Sequence, residues 1–185
     1  MKTMNRLFLC AATAFALLAS ISTQAAVDMF LDMGKEIPGE STDKAHPNTV
    51  DVLAWSWGMS NSGTTHLGGG AGAGKASFQD LSLTKYVDKS SPILMLYCAN
   101  GKTFSTATLI VRKAGATPVE YIKITMSEVM VTSVSTGGSG GEDRLTENIS
   151  LNFAKVDFSY VPVDLKGGVG TAVGMKWDIA ANTPQ

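Results

Sequence analysis

Cysteine is almost missing from this 185-residue chain: there are only two, Cys10 and Cys98. Cys10 falls inside an N-terminal apolar run, so the folded part keeps Cys98 alone and cannot build a disulfide framework. With His46 and His66 as the only histidines, no imidazole–thiolate cluster suggests a zinc centre, and no metal is expected. A charge surplus is also lacking. Fifteen basic against sixteen acidic side chains leave a net of −1, which removes the basic face that nucleic-acid binding needs. No apolar run reaches the length of a membrane span. Strictly alternating strand and helix signals are absent too, which argues against a parallel α/β fold.

What remains is apolar (44%), low in charge (17%) and rich in glycine, with 19 residues. That composition fits strands joined by tight turns better than a helical bundle. Residues 1–25 have the build of a secretory signal peptide. Lys2 and Arg6 form a positive start, residues 7–19 are apolar, and Thr23 and Ala25 occupy the −3 and −1 positions of a cleavage site. Residues 26–185 then form a single domain, secreted and with no membrane insertion once the leader is gone.

Alternation places strands at residues 27–33, 50–59, 76–87, 103–113, 119–136, 145–161 and 173–179. In the second, Leu53, Trp55 and Trp57 share one face, and Val52, Ala54 and Ser56 the other. The two tryptophans read as core, with sugar stacking as the rival role. Apolar parity switches inside residues 76–87, near Glu128, and between Phe153 and Val156. Such switches mark bulges and barrel corners. A short helix is expected from Ser91 as cap, Pro92 at its first position and Asn100-Gly101 as a left-handed stop. The architecture is mainly β: an antiparallel β-barrel or tight sandwich of two packed sheets with one short flanking α-helix.

The sharpest local motif is Gly69-Gly70-Ala71-Gly72-Ala73-Gly74-Lys75, which matches GxxxxGK of a phosphate-binding loop. Ala76 stands where a Ser or Thr would hold magnesium, and the segment after it reads as a strand rather than the helix such a loop opens. The alternative is an exposed glycine loop free to order against a partner. No nucleophile–base set emerges: His46 and His66 read as solvated side chains, and Glu142-Asp143-Arg144 and Arg112-Lys113 as surface charge. No cofactor and no enzymatic activity are expected.

Several segments resemble the haemolysin-coregulated protein (Hcp) family, tube-forming proteins of bacterial type VI secretion. They include AVDMFL (26–31), GESTDKAH (39–46), DVLAWSWGMS (51–60), GGGAGAGK (68–75) and DLSLTKYVDKSSP (80–92). VRKAG (111–115), EYIKIT (120–125) and SVSTGGSGGEDRLTENISLNFAKV (133–156) extend the likeness over nearly all of residues 26–185. The resemblance implies a compact β-barrel with one helix, a hexameric ring that stacks into a tube, type VI partners, and effector cargo in the lumen. On that view Gly68, Gly69, Gly70, Gly72, Gly74 and Lys75, with Glu142, Asp143 and Arg144, become candidate subunit contacts, and Ser56 a candidate lumen residue. The leader departs from that pattern and suggests, alternatively, an exported orphan acting outside the injection machine.

Overall fold

A computed structural model describes residues 27–63, 74–114, 117–141, 143–164 and 168–185. The leader therefore lies outside the described residues, as do His66, Glu142 and the glycines at 68, 69, 70 and 72. The elements run β1 (Val27–Asp32), β2 (Val50–Ser56), β3 (Met59–Asn61), β4 (Ala76–Phe78), β5 (Leu81–Tyr86), α1 (Ser91–Asn100), β6 (Thr103–Lys113), β7 (Val119–Thr136), β8 (Thr146–Tyr160), β9 (Val173–Asp178) and β10 (Thr183–Pro184). Antiparallel pairing follows the order β5-β2-β1-β6-β7-β8 and closes, because β8 also pairs with β5. The result is a barrel, with β9 and β10 continuing past the second half of β8. β3 and β4 form a separate two-stranded sheet.

The barrel closes because its long strands fold over together. Buried residues change parity from Phe104 to Ala107 in β6, from Met126 to Val129 in β7, and from Phe153 to Val156 in β8. The pairing register does not slip there: Thr106–Ser127–Lys155 and Phe104–Val129–Phe153 remain level rows. Glu128 sits in the middle of this crease with φ of +55°, a left-handed backbone that swaps the faces without inserting a residue. The parity slip expected near Glu128 is this corner.

Two strand expectations need correction. In β2 a bulge between Val52 and Ala54 breaks the anticipated face. Val50 and Val52 enter the core before it, and Leu53 is left 38% exposed. Only after the bulge do Trp55 and Trp57 pack on the core, which favours the core reading of both. The run 76–87 breaks at Gln79-Asp80 into β4 and β5, so the chain leaves the barrel as a hairpin and returns.

The helix stops as expected at Gly101, φ +66°. Ser91, however, is its first residue and not its cap, and Ser90 makes no side-chain cap bond. The Ser91 hydroxyl accepts from Asp88 N (3.0 Å) and donates to Glu147 Oε1 (2.7 Å). Glu147 is itself paired at 2.6 Å with Lys85, and both side chains are fully buried. Lys85 Nζ also donates to Tyr86 O and Asp88 Oδ1, both at 2.8 Å. This cluster pins the start of α1 to the barrel rim.

Candidate functional site

Where β2, β5, β8 and β7 run side by side, two rows of their outward side are built from small neutral side chains. Pairing aligns Ser56 with Ser82, Ser82 with Ser150 and Ser150 with Ser133 in one row. The next row runs Ala54, Thr84, Asn148, Ser135. Alternation explains why: their neighbours Leu81, Leu83, Ile149 and Leu151 fill the barrel core, so the intervening positions point away. Thr84 Oγ1 donates to Asn148 Oδ1 at 2.7 Å, and the Ser82 and Ser150 hydroxyls lie 3.4 Å apart. Asp80 bounds the wall, and its carboxylate accepts from Thr132 Oγ1 (2.5 Å) and Asn152 Nδ2 (2.7 Å). Neither row contains a base that would activate a hydroxyl, so the wall offers donors and acceptors rather than a nucleophile. Ser56, singled out by sequence, heads the first row and is exposed. Sequence reading missed its companions, although alternation with the core leucines was the signal that could have found them.

Each side of the wall ends differently. β1 pairs with β2 only through Phe30–Asp51 and Leu31–Val50. Beyond that the strands splay, opening a cleft of about 380 Å³ lined by Val27, Asp28, Asp51 and Arg112 among others. The free end of β2 runs on into the β3–β4 hairpin. Aromatic rings hold that hairpin down: Phe78 stacks on Trp57 at 6.2 Å and lies 6.4 Å from Trp177, and Trp57 Nε1 donates to Gln79 O at 3.0 Å. At its mouth Asn61 Nδ2 donates to Gly74 O (2.8 Å), and a Cβ on Gly74 would meet Ser62 Oγ at 2.6 Å. Lys75 is exposed beside it, and Ala76 opens a strand. The helix a phosphate loop would need is therefore absent at that point. On the opposite side, β6 stops pairing with β7 at Met130. α1, which runs from Ser91, bonded to Glu147, to its stop at Gly101, packs against β7.

The remaining sequence candidates are scattered. Arg144 stacks over the Tyr86 ring of its own barrel at 3.8 Å, and Asp143 is exposed. His46 is not the solvated side chain expected. Its Nε2 lies 2.9 Å from Glu120 Oε1 and its ring stacks on Phe30 at 4.8 Å. Arg112 is not free surface charge either: it binds Asp28 at 2.9 Å and Asp43 at 2.5 Å and lies over Phe30. Hydrogen bonds from Arg112, and then from the Ala45 and His46 amides, hold the Asp43 carboxyl well below the usual carboxylate range. The two carboxylates raise the Arg112 guanidinium in turn. This network straps the segment after β1 onto the barrel. Among the described residues no group of three or more metal-ligating side chains occurs.

The family described as "Type VI secretion system effector, Hcp" matches residues 30–160. The chain is similar to the protein hcp1 of Pseudomonas aeruginosa, 57% identical over 159 residues that make up 85% of this chain and 98% of the relative. A solved structure of a type six secretion system protein superposes with a TM-score of 0.80 at 30% identity, covering 86% of this chain and all of that one. Hcp1 from Salmonella typhimurium superposes with a TM-score of 0.71 at 37% identity, over 86% and 99% of the two chains.

Proposed function

This chain belongs to the Hcp family of type VI secretion system effectors, and from that premise we propose that it is a ring-forming structural and secreted component of such a system. Its hexameric rings stack into an inner tube, and small effectors travel in the lumen. One observation carries this reading: four strands present two adjacent rows of small uncharged side chains, all of them hydroxyls or amides except Ala54. A wall of that kind binds through hydrogen bonds without the desolvation cost of buried charge. It suits the inside of a channel that must hold a cargo and release it. Ser56 faces the lumen in this reading, and the function lies in surfaces rather than in a catalytic set. The glycine loop with Lys75, and the 142–144 segment, serve as contacts between subunits or stacked rings, and no cofactor is involved. Size-exclusion chromatography with light scattering and electron microscopy tests it, since a monomer at all concentrations would refute it. Ser56→Trp should leave the barrel folded and abolish cargo binding.

A second reading rests on the leader expected at residues 1–25: an exported orphan, working as a ring or binding module outside the cell without the injection machine. N-terminal sequencing of protein from the culture medium decides between them. A start at Ala26 supports export through the leader, and a retained Met1 excludes it.

A further inference from the structure

β9 is not needed to close the barrel. β5, β2, β1, β6, β7 and β8 do that, while β9 pairs with the second half of β8 and, at its other edge, only with β10. It nevertheless carries Trp177, a large ring packed against the core cluster. The polar atom of that side chain does not explain its place: among the described residues Trp177 Nε1 is buried and meets no hydrogen-bond partner. Buried indoles usually find one, so the position is about what the ring touches. It touches Phe78, 6.4 Å away between ring centres. Phe78 belongs to the β3–β4 hairpin, whose strands are three residues each and, among the described residues, share no ladder with the barrel sheet. A lone two-stranded hairpin is marginal in water, so side chains decide how this one sits. β3 is exposed throughout, and in β4 Ser77 is exposed while Phe78 packs against the core. Phe78 meets two indoles, Trp57 at 6.2 Å and Trp177. Trp57 sits at the root of the hairpin itself and stacks on Phe158 of β8 at 6.4 Å. Trp177 comes from the far end of the chain.

We propose that Trp177 is the positioning residue of the β3–β4 hairpin: β9 extends the sheet beyond the barrel so that its indole can hold Phe78, and with it the hairpin, in one orientation. Gly74 and Lys75, at the mouth of the hairpin, are aimed by the same contact. The inference rests on the function proposed above only for its consequence, that the contact assigned to Lys75 depends on a strand the barrel itself does not use. The tie between Trp177 and Phe78 stands or falls by itself.

Hydrogen exchange read by mass spectrometry tests it with Trp177→Ala and Trp177→Phe. In Trp177→Ala the amides of Met59–Asn61 and Ala76–Phe78 should exchange about tenfold faster, while β1, β6 and β7 keep wild-type protection. Trp177→Phe should restore the wild-type rate, because a phenyl ring replaces the contact and the lost N–H had no partner. Unchanged hairpin exchange in Trp177→Ala, a hairpin already unprotected in the wild type, or Trp177→Phe as fast as Trp177→Ala overturns the proposal. Should Trp177→Ala loosen the whole barrel, Trp177→Leu, Phe78→Leu and their double variant are read instead. Melting losses well short of additive support the pair, and additive losses overturn it. Electron microscopy of the same samples reads the consequence: Trp177→Ala should form rings that no longer stack. A wild type that never stacks refutes the stacking reading alone, since the exchange rates still decide the tie.

Discussion

On their core side β5 and β8 carry Leu81, Leu83, Ile149 and Leu151, and at the end of the row the fully buried pair Lys85–Glu147. On their other side, over the stretch where the two strands pair, they carry Ser82, Thr84, Asn148 and Ser150 and no charge. Soluble proteins ordinarily distribute charge the other way, since lysine and glutamate are almost never fully buried unless paired. The inversion separates two jobs. The buried pair costs desolvation and gives position, fixing the start of α1 through Ser91. The neutral face gives up surface charge, which suits a surface meant to face contents rather than bulk solvent.

The strongest way to break the comparison is to remove one member of the buried pair. Lys85→Met leaves Glu147 buried without its cation and should destabilise the barrel by about 3–5 kcal/mol. Thermal melting should show it as a drop on the order of 10 °C. The double change Lys85→Met with Glu147→Leu should recover much of that loss, as apolar replacements of buried pairs often do. A smaller effect is expected at the crease, where Glu128 holds φ of +55°. Glu128→Val puts a β-branched residue in a left-handed backbone and should cost about 1–2 kcal/mol, whereas Glu128→Gly should stay within about 1 kcal/mol of wild type. Denaturant titration separates the two. The wall itself should tolerate charge as far as folding is concerned: Ser82→Asp should change stability by about 0.5 kcal/mol or less. A large loss would mean that the wall is structural rather than a surface.

The weakest effect should come from the half-buried counterpart of the buried pair, Asp43 with Arg112. The folded carboxyl is depressed below its unfolded value of about 3.9 by the guanidinium hydrogen bonds. Its contribution is therefore complete above that value and is lost as pH falls toward the folded one. Acid titration of stability below about pH 4 should be flatter in Asp43→Asn than in wild type.

Much of this fold was legible in period-two alternation. The bounds of β6 and β7 coincide with it, and the parity switches near Glu128 and after Phe153 are the corners that close the barrel. The stop at Gly101 was legible because an Asn-Gly pair marks a left-handed residue. The bulge after Val52 was not, since Leu53 and Val52 are equally apolar and only pairing with β5 decides which turns inward. Lys85 and Glu147 carried a signal that was passed over. Each sits in parity with core leucines or isoleucine, 81-83-85 and 147-149-151, where a lone charge needs a partner across the sheet. For the site, Ser56 emerged from alternation in one strand, but its row exists only in register with β5, β8 and β7, which is long-range information. His46 and Arg112 looked solvated for the same reason: Glu120 and Asp28 lie far from them in sequence.

The central claim is that the neutral wall faces the inside of a ring. Cryo-electron microscopy of the purified protein tests it most directly. A closed hexameric ring with Ser56, Ser82, Ser150 and Ser133 lining the hole is the expected result. A ring with those serines on its outer surface, or particles that never exceed a single barrel, would contradict it.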